Sequence, residues 1–232
     1  AALPAWLEQL WAESTGKDGQ GIVPVADEQV GPPSVYNNDR CFVYLALRDD
    51  ADTAHAAAVD RLEAAGHPVV RIMLESLVDL GAELFRAEVA VAMAASVLGI
   101  HPFNQPDVQL AKELASQAMQ GNGDGEPIKA VSADEPPGSA TALASLMDVA
   151  RPGDYLAIQA FIEPSAAAAA SLQGLRHRLR DRFRLATTLG FGPRFLHSSG
   201  QLHKGGPNTG LFLQLVDDPR PDLTVPGTAY TF

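Results

Sequence analysis

Leu3, Leu7, Leu10 and Trp11 recur at helical spacing at the start of the chain, and Gly16 marks the expected stop of that helix. Ile22 to Val25 reads as a short strand. Cys41 to Leu47 is a nearly continuous apolar run, which suits a strand buried on both faces of a parallel sheet. The alanine-rich stretch 52–65 predicts a helix closing on Gly66, and Pro68 to Met73 predicts the next strand. Strand, helix and strand within about 30 residues form a βαβ unit.

A long apolar helix is expected over 78–98, up to Gly99. Another begins after Phe103, where Asn104 or Gln105 can cap it and Pro106 suits the first turn. The Gly-, Pro-, Asp- and Glu-rich stretch 121–138 reads as a mobile surface linker and not as a domain boundary. Helices over 139–149 and 166–186 then alternate with strands over 155–161, 194–196 and 211–216. This alternation predicts an α/β fold with a mostly parallel sheet sandwiched between helices, a three-layer αβα arrangement. Cys41 is expected in the core on its strand, and the basic run Arg176 to Arg184 on a solvated helix face.

The chain has 232 residues, and its apolar fraction of 46% is enough for a sizeable core, which excludes a disordered chain. Seventeen Lys and Arg against 28 Asp and Glu leave a net charge of −11. That balance argues against nucleic acid and against an anionic membrane as partners. The single cysteine, Cys41, allows no intrachain disulfide and no thiolate zinc cluster. With that one cysteine a reducing, cytoplasmic compartment is the expectation; no apolar run reaches the roughly 18 residues of a membrane span, and no signal peptide is present. The chain starts at Ala1 and stops at Phe232, just after the strand-like Thr228-Ala229-Tyr230-Thr231. Both ends read as cut, and the expectation is one piece of a longer protein.

Three stretches combine polar side chains with glycine where packing alone does not demand them. In Glu13-Ser14-Thr15-Gly16-Lys17, Gln9 and Glu13 are four apart and share a helix face. Gly16-Lys17 invites comparison with a phosphate-binding P-loop, but Trp11 stands where that motif needs Gly and Asp18 where it needs Ser or Thr. Composition alone leaves Glu13 a solvated helix-end carboxylate. In the second stretch, Phe103 to Lys112, residues Gln105, Gln109 and Lys112 line one side of a helix starting at Pro106. Its plain reading is an exposed amphipathic face. The third stretch, His197 to Gly206, follows a strand directly, where ligands bind in open α/β sheets. Two histidines without a neighbouring carboxylate or cysteine make a poor zinc set, and no Gly-x-Ser-x-Gly elbow supports a serine nucleophile. Thr187-Thr188 before Gly190 could offer hydroxyls and N–H groups to a phosphate.

Glu-Ser-x-Gly-Lys, Pro-Phe-Asn-Gln-Pro-x-Val-x-x-x-Lys and His-Ser-x-Gly-Gln together resemble glucose-6-phosphate isomerases. The run Gly190 to Gly210 is most similar to the isomerase part of fused transaldolase/glucose-6-phosphate isomerase proteins. The resemblance extends from Trp6 to about Val216. It implies a single sugar-isomerase (SIS) domain over 1–232, the second of the family's two, with the first SIS domain upstream and possibly a transaldolase before it. It also implies a glycolytic and gluconeogenic isomerase that interconverts glucose 6-phosphate and fructose 6-phosphate, commonly as a homodimer, with no metal or cofactor.

By this resemblance Glu13 is the base that moves a proton between C1 and C2 through a cis-enediol(ate). Lys112 is the cation beside the substrate oxygens. The ring-opening histidine is His197 or His203, with His197 preferred. Gln9, Gln105, Gln201, His203 and Lys204 line the sugar-phosphate site. Three departures stand beside these matches. Asn104, Asp107 and Gln109 replace two acids and a glycine common in the single-function enzymes. His-Ser-x-Gly-Gln follows the lysine instead of preceding it. The first domain, with most of the phosphate-binding Ser and Thr, has no counterpart here, so the chain alone is expected to be inactive. The alternative is a non-catalytic, sugar-phosphate-binding regulatory SIS module.

Overall fold

A computed structural model describes residues 3–50, 52–120, 131–132, 138–217 and 223–228. The expected 121–138 linker lies almost wholly outside the described residues, as does most of the Thr228 to Thr231 strand. Helix α1 is Leu3–Thr15, and an irregular segment leads from it to strand β1, Phe42–Leu47. Helix α2, Thr53–Ala64, and strand β2, Val69–Leu74, complete the first βαβ unit. Helices α3, Leu80–Leu98, α4, Pro106–Met119, and α5, Gly138–Asp148, precede strand β3, Tyr155–Phe161. Helix α6, Ala166–Phe183, strand β4, Ala186–Phe191, the short helix α7, Gly200–Gly205, and strand β5, Gly210–Val216, follow.

Asp52 starts α2 by accepting hydrogen bonds from the N–H groups of Ala54 and His55, and Ser165 starts α6 by accepting one from Ala168. Gly99, in the left-handed conformation at φ 73°, stops α3. Among the described residues the strands pair in parallel, β1 with β2 and, in a second sheet, β4–β3–β5. Strand β3 is the centre of the larger sheet. Its Leu156, Ile158 and Ala160 pack against Met147 of α5 and Leu172 and Leu179 of α6. On the other face, Tyr155 and Ala157 meet Ala186 and Val23, and His203 of α7 stacks on Tyr155. The sheet therefore lies between helices, as the α/β pattern requires.

Several local expectations are corrected. Residues 194–196 form a 3-10 turn, Arg194–His197, and the strand lies earlier, at Ala186–Phe191. Helix α6 stops at Phe183, with Arg184 in the left-handed conformation, and this frees Ala186 for β4. Beyond β4, Phe195 turns inward to 4% exposure and packs over Gly190, where a Cβ would clash with it. Ile22 to Val25 is not a strand. The carbonyls of Ala26 and Gln29, just beyond it, are taken by guanidinium groups of α6, not by a strand ladder.

The basic run is not a solvated face throughout. Arg176 is 1% exposed and Arg180 is 4% exposed, while Arg178 and Arg182 point outward. Arg180 Nη1 donates to Glu28 Oε1 at 3.0 Å, and Arg176 lies 3.6 Å from Glu28 Oε2. Thr187 is buried in the same cluster and donates its hydroxyl to Glu28 at 2.8 Å, so it is committed to the fold and not to an open phosphate site. Cys41 is exposed, one residue before β1. No residue of β1 is fully buried, and Val43 is 60% exposed, because β1 pairs with β2 alone among the described residues.

Candidate active site

Helix α1 ends where Gly16 lies directly under Leu202 of α7, too close for any Cβ. The chain then makes a tight turn in which Lys17 and Gln20 exchange both backbone hydrogen bonds at 3.1 and 2.8 Å. Asp18 and Gly19 supply its positive φ values. Gly19 N–H also donates to the Gly205 carbonyl, which ties the turn to the end of α7.

On the exposed side of α1, Trp6, Gln9, Leu10 and Glu13 line an open cleft of about 280 Å³, with Glu88 of α3 on its rim. Glu13 is half-buried there. Burial pushes its carboxyl above the usual range, while the Gln9 hydrogen bond, Lys17 and His197 pull it back. A carboxylate with a raised pKa beside cations suits a group that takes and returns a proton. His197 ends the turn after β4 and is exposed. Lys17 is 1% exposed and donates to the His101 carbonyl at 3.1 Å. Burial lowers its pKa, and Glu13, Asp18 and Asp107 oppose that shift.

A second group lies behind the first. Gln201 is fully buried, and its Nε2 donates to the Gly16 carbonyl at 2.9 Å and to Asp107 Oδ2 at 2.7 Å. Both partners are acceptors, so the amide can face them only with its NH₂ group. Its Oε1 is buried without a hydrogen-bond partner among the described residues. Lys204 belongs to this group: desolvation lowers its pKa and Asp107 opposes the shift.

His203 is enclosed by aromatic rings. Its ring stacks on Tyr155 at 5.8 Å and meets Phe212 and Phe195 edge-on at 5.2 and 6.2 Å. This enclosure pushes its pKa down to about 4, chiefly by burial, with Lys204 adding to the effect. Gln105 and Lys112 are exposed on and just before α4, and no hydrogen bond or ion pair among the described residues joins either side chain to Glu13. The structure thus groups Gln9, Glu13 and His197, joins Gln201 to the end of their helix through the Gly16 carbonyl and sets Lys204 near Asp107, and leaves Gln105, Lys112 and His203 without a hydrogen bond or ion pair to Glu13 among the described residues.

Sequence reasoning named no role for Lys17, Trp6, Glu88 or Tyr155. Lys17 carried a signal, as the end of Glu-Ser-x-Gly-Lys. Trp6 carried one too, one turn before Gln9 and Leu10. Glu88 and Tyr155 are far from the motifs in sequence and carried none. Among the described residues, no group of three or more His, Cys, Asp or Glu side chains could hold a metal ion, and no helix is long and apolar enough to cross a membrane.

The chain is similar to the probable glucose-6-phosphate isomerase of Natronomonas pharaonis, 32% identical over 159 residues, which is 54% of this chain and 37% of that protein. It is 29% identical over 157 residues to the glucose-6-phosphate isomerase of Rubrobacter xylanophilus, 50% of this chain and 35% of that protein. It is also 29% identical over 149 residues to the probable glucose-6-phosphate isomerase of Halobacterium salinarum, with the same shares. The chain spans about a third of the length of the curated relatives it matches. No family model matches it, and no solved structure matches it.

Proposed function

We propose that this chain is the second SIS domain of a glucose-6-phosphate isomerase, a cytoplasmic enzyme of glycolysis and gluconeogenesis. The observation that carries this reading is the end of α1, where Gln9 and Glu13 share one face of an open cleft. Glu13 takes the proton from one carbon of the open-chain sugar and returns it to the neighbouring carbon through a cis-enediol(ate). His197, exposed beside Glu13, opens the sugar ring; His203 is the weaker choice because its ring is enclosed and its Nδ1 is engaged with the Tyr155 hydroxyl. Lys112 balances the enediolate charge when substrate draws it in. Gln9, Gln105, Gln201, His203 and Lys204 hold the sugar phosphate or shape its site. In this reading an SIS domain upstream supplies the phosphate site, with a transaldolase before it in the fused form; the match to about a third of each relative leaves room for a further isomerase domain. The whole enzyme is a homodimer and uses no metal or cofactor.

The test is a coupled assay from fructose 6-phosphate to glucose 6-phosphate. It is run on a polypeptide carrying this sequence behind an SIS domain, on its Glu13→Gln variant, and on the 232 residues alone. Activity in the first, lost in a folded second and absent or slow in the third, is expected. Turnover by the 232 residues alone at roughly 1–1,000 per second would sink the half-enzyme reading. A longer polypeptide that binds sugar phosphate without converting it would replace the isomerase by a regulatory module.

A further inference from the structure

The three motif stretches meet at one side chain. Gln201, on α7, holds the Gly16 carbonyl at the end of α1 and the Asp107 carboxylate at the start of α4, both through Nε2. Two glycines make this approach possible. A Cβ on Gly16 would collide with the Leu202 backbone, and one on Gly205 would collide with Asp107 and Gln201. The Asp107 carboxylate faces two cations, Lys17 and Lys204, and each of them feels it. Its bond to Gln201 is charge-assisted and lies against a fully buried group, where such bonds are strongest.

We propose that Asp107 is a positioning residue, whose carboxylate holds the start of α4 on the end of α1 through Gln201 and so sets Gln105 and Lys112 relative to Glu13. Its catalytic meaning rests on the isomerase reading. Lys112 lies two turns into α4 and, among the described residues, makes no hydrogen bond or ion pair of its own to α1, so its reach toward substrate depends on how α4 is seated. Among the described residues, helix α4 contributes none to either buried core cluster; it packs on α7, and Gln201 ties its first turn there.

Two measurements test this. Amide hydrogen exchange is compared for the chain, Asp107→Ala, Asp107→Asn, Gln201→Leu and the double variant Asp107→Ala/Gln201→Leu. Gln201→Leu keeps the buried volume and breaks the link without touching α4. Exchange over α4 is expected to rise about tenfold in Asp107→Ala and in Gln201→Leu, with α6 and β3 unchanged, and the double variant is expected to add little more. Asp107→Asn, whose Oδ1 can accept the same bond, restores most of the protection. In the longer polypeptide, Asp107→Ala is expected to lower kcat by up to about 100-fold with KM nearly unchanged, and Asp107→Asn to recover most of it. Unchanged α4 exchange in Gln201→Leu, or simple addition in the double variant, overturns the proposal. So does an unaltered kcat in Asp107→Ala. A polypeptide with no isomerase activity at all sinks the isomerase reading instead, and the exchange data then decide the link by themselves.

Discussion

Tyr155 and His203 are paired inside the fold, hydroxyl to Nδ1 at 2.9 Å, with their rings stacked 19° from parallel. Tyr155 is 2% exposed, and burial pushes its hydroxyl up to about 12. The histidine is pushed down to about 4, so at neutral pH both groups are uncharged and one proton is shared between them. The unfolded chain binds a proton on His203 near its ordinary 6.5. Protonation therefore favours unfolding as pH falls from about 6.5 to about 4, and the pair's contribution is complete above that window. The full effect is on the order of 3 kcal/mol. Denaturant titrations from pH 7.5 down to 4 should show this loss in the parent chain and a flatter profile in His203→Phe.

Glu28 holds the irregular segment after α1 onto α6 and β4. It accepts from Arg180 and Thr187 and faces Arg176, all three buried. Removing the carboxylate takes the facing acid from buried Arg176 and leaves Arg180 its ion pair with Asp181 at the surface. Glu28→Ala is expected to destabilise the chain by about 3–5 kcal/mol, and Thr187→Val by about 1 kcal/mol. Urea unfolding followed by circular dichroism measures both. A Glu28→Ala loss no larger than that of Thr187→Val would mean that solvent reaches the arginines.

The fold was legible where period and punctuation agreed. The stops at Gly16 and Gly99, the strand at Tyr155 and the βαβ unit from Phe42 to Leu74 all follow from local chemistry. Strand β4 did not, because Leu185-Ala186-Thr187-Thr188 continues from an arginine-rich helix without a glycine or proline, and the stop is Arg184 in the left-handed conformation. Burial of Arg176 and Arg180 was hidden for another reason. Their partner Glu28 is about 150 positions away and only the fold brings it near. In the candidate site, the shared face of Gln9 and Glu13 was readable from helical spacing and their roles only from the family resemblance, whereas the Gln201 link needs three elements to converge.

Gly16 bears on how α1 and α7 are seated together. A Cβ there would run into the Leu202 backbone, which cannot move aside as a flexible side chain could. Gly16→Ala is expected to cost about 1–3 kcal/mol or more and to part α1 from α7. By contrast, Gly66→Ala meets nothing within 4 Å and bears only the strain of its φ of 91°. Thermal unfolding of the two variants should rank Gly16→Ala as the more damaging.

Lys17 tunes Glu13 from inside. The lysine is buried, and its charge is among the influences that pull the raised Glu13 carboxyl back toward its ordinary 4.5. A proton-transferring carboxylate works only when ionised, so the acid limb of kcat/KM reports its pKa in the free enzyme. That limb should lie above 4.5 in the parent. Lys17→Met removes a nearby cation and keeps an apolar stem of similar length. Without the cation the carboxylate is less favoured, and the limb should move to still higher pH. Gln9→Leu removes the hydrogen bond that also favours the ionised form, and should shift the limb in the same direction. The profile is measured in the longer polypeptide between pH 4.5 and 8, with folding checked at each pH. A limb that stays in place in both variants would show that Glu13 is not the group whose ionisation the reaction needs.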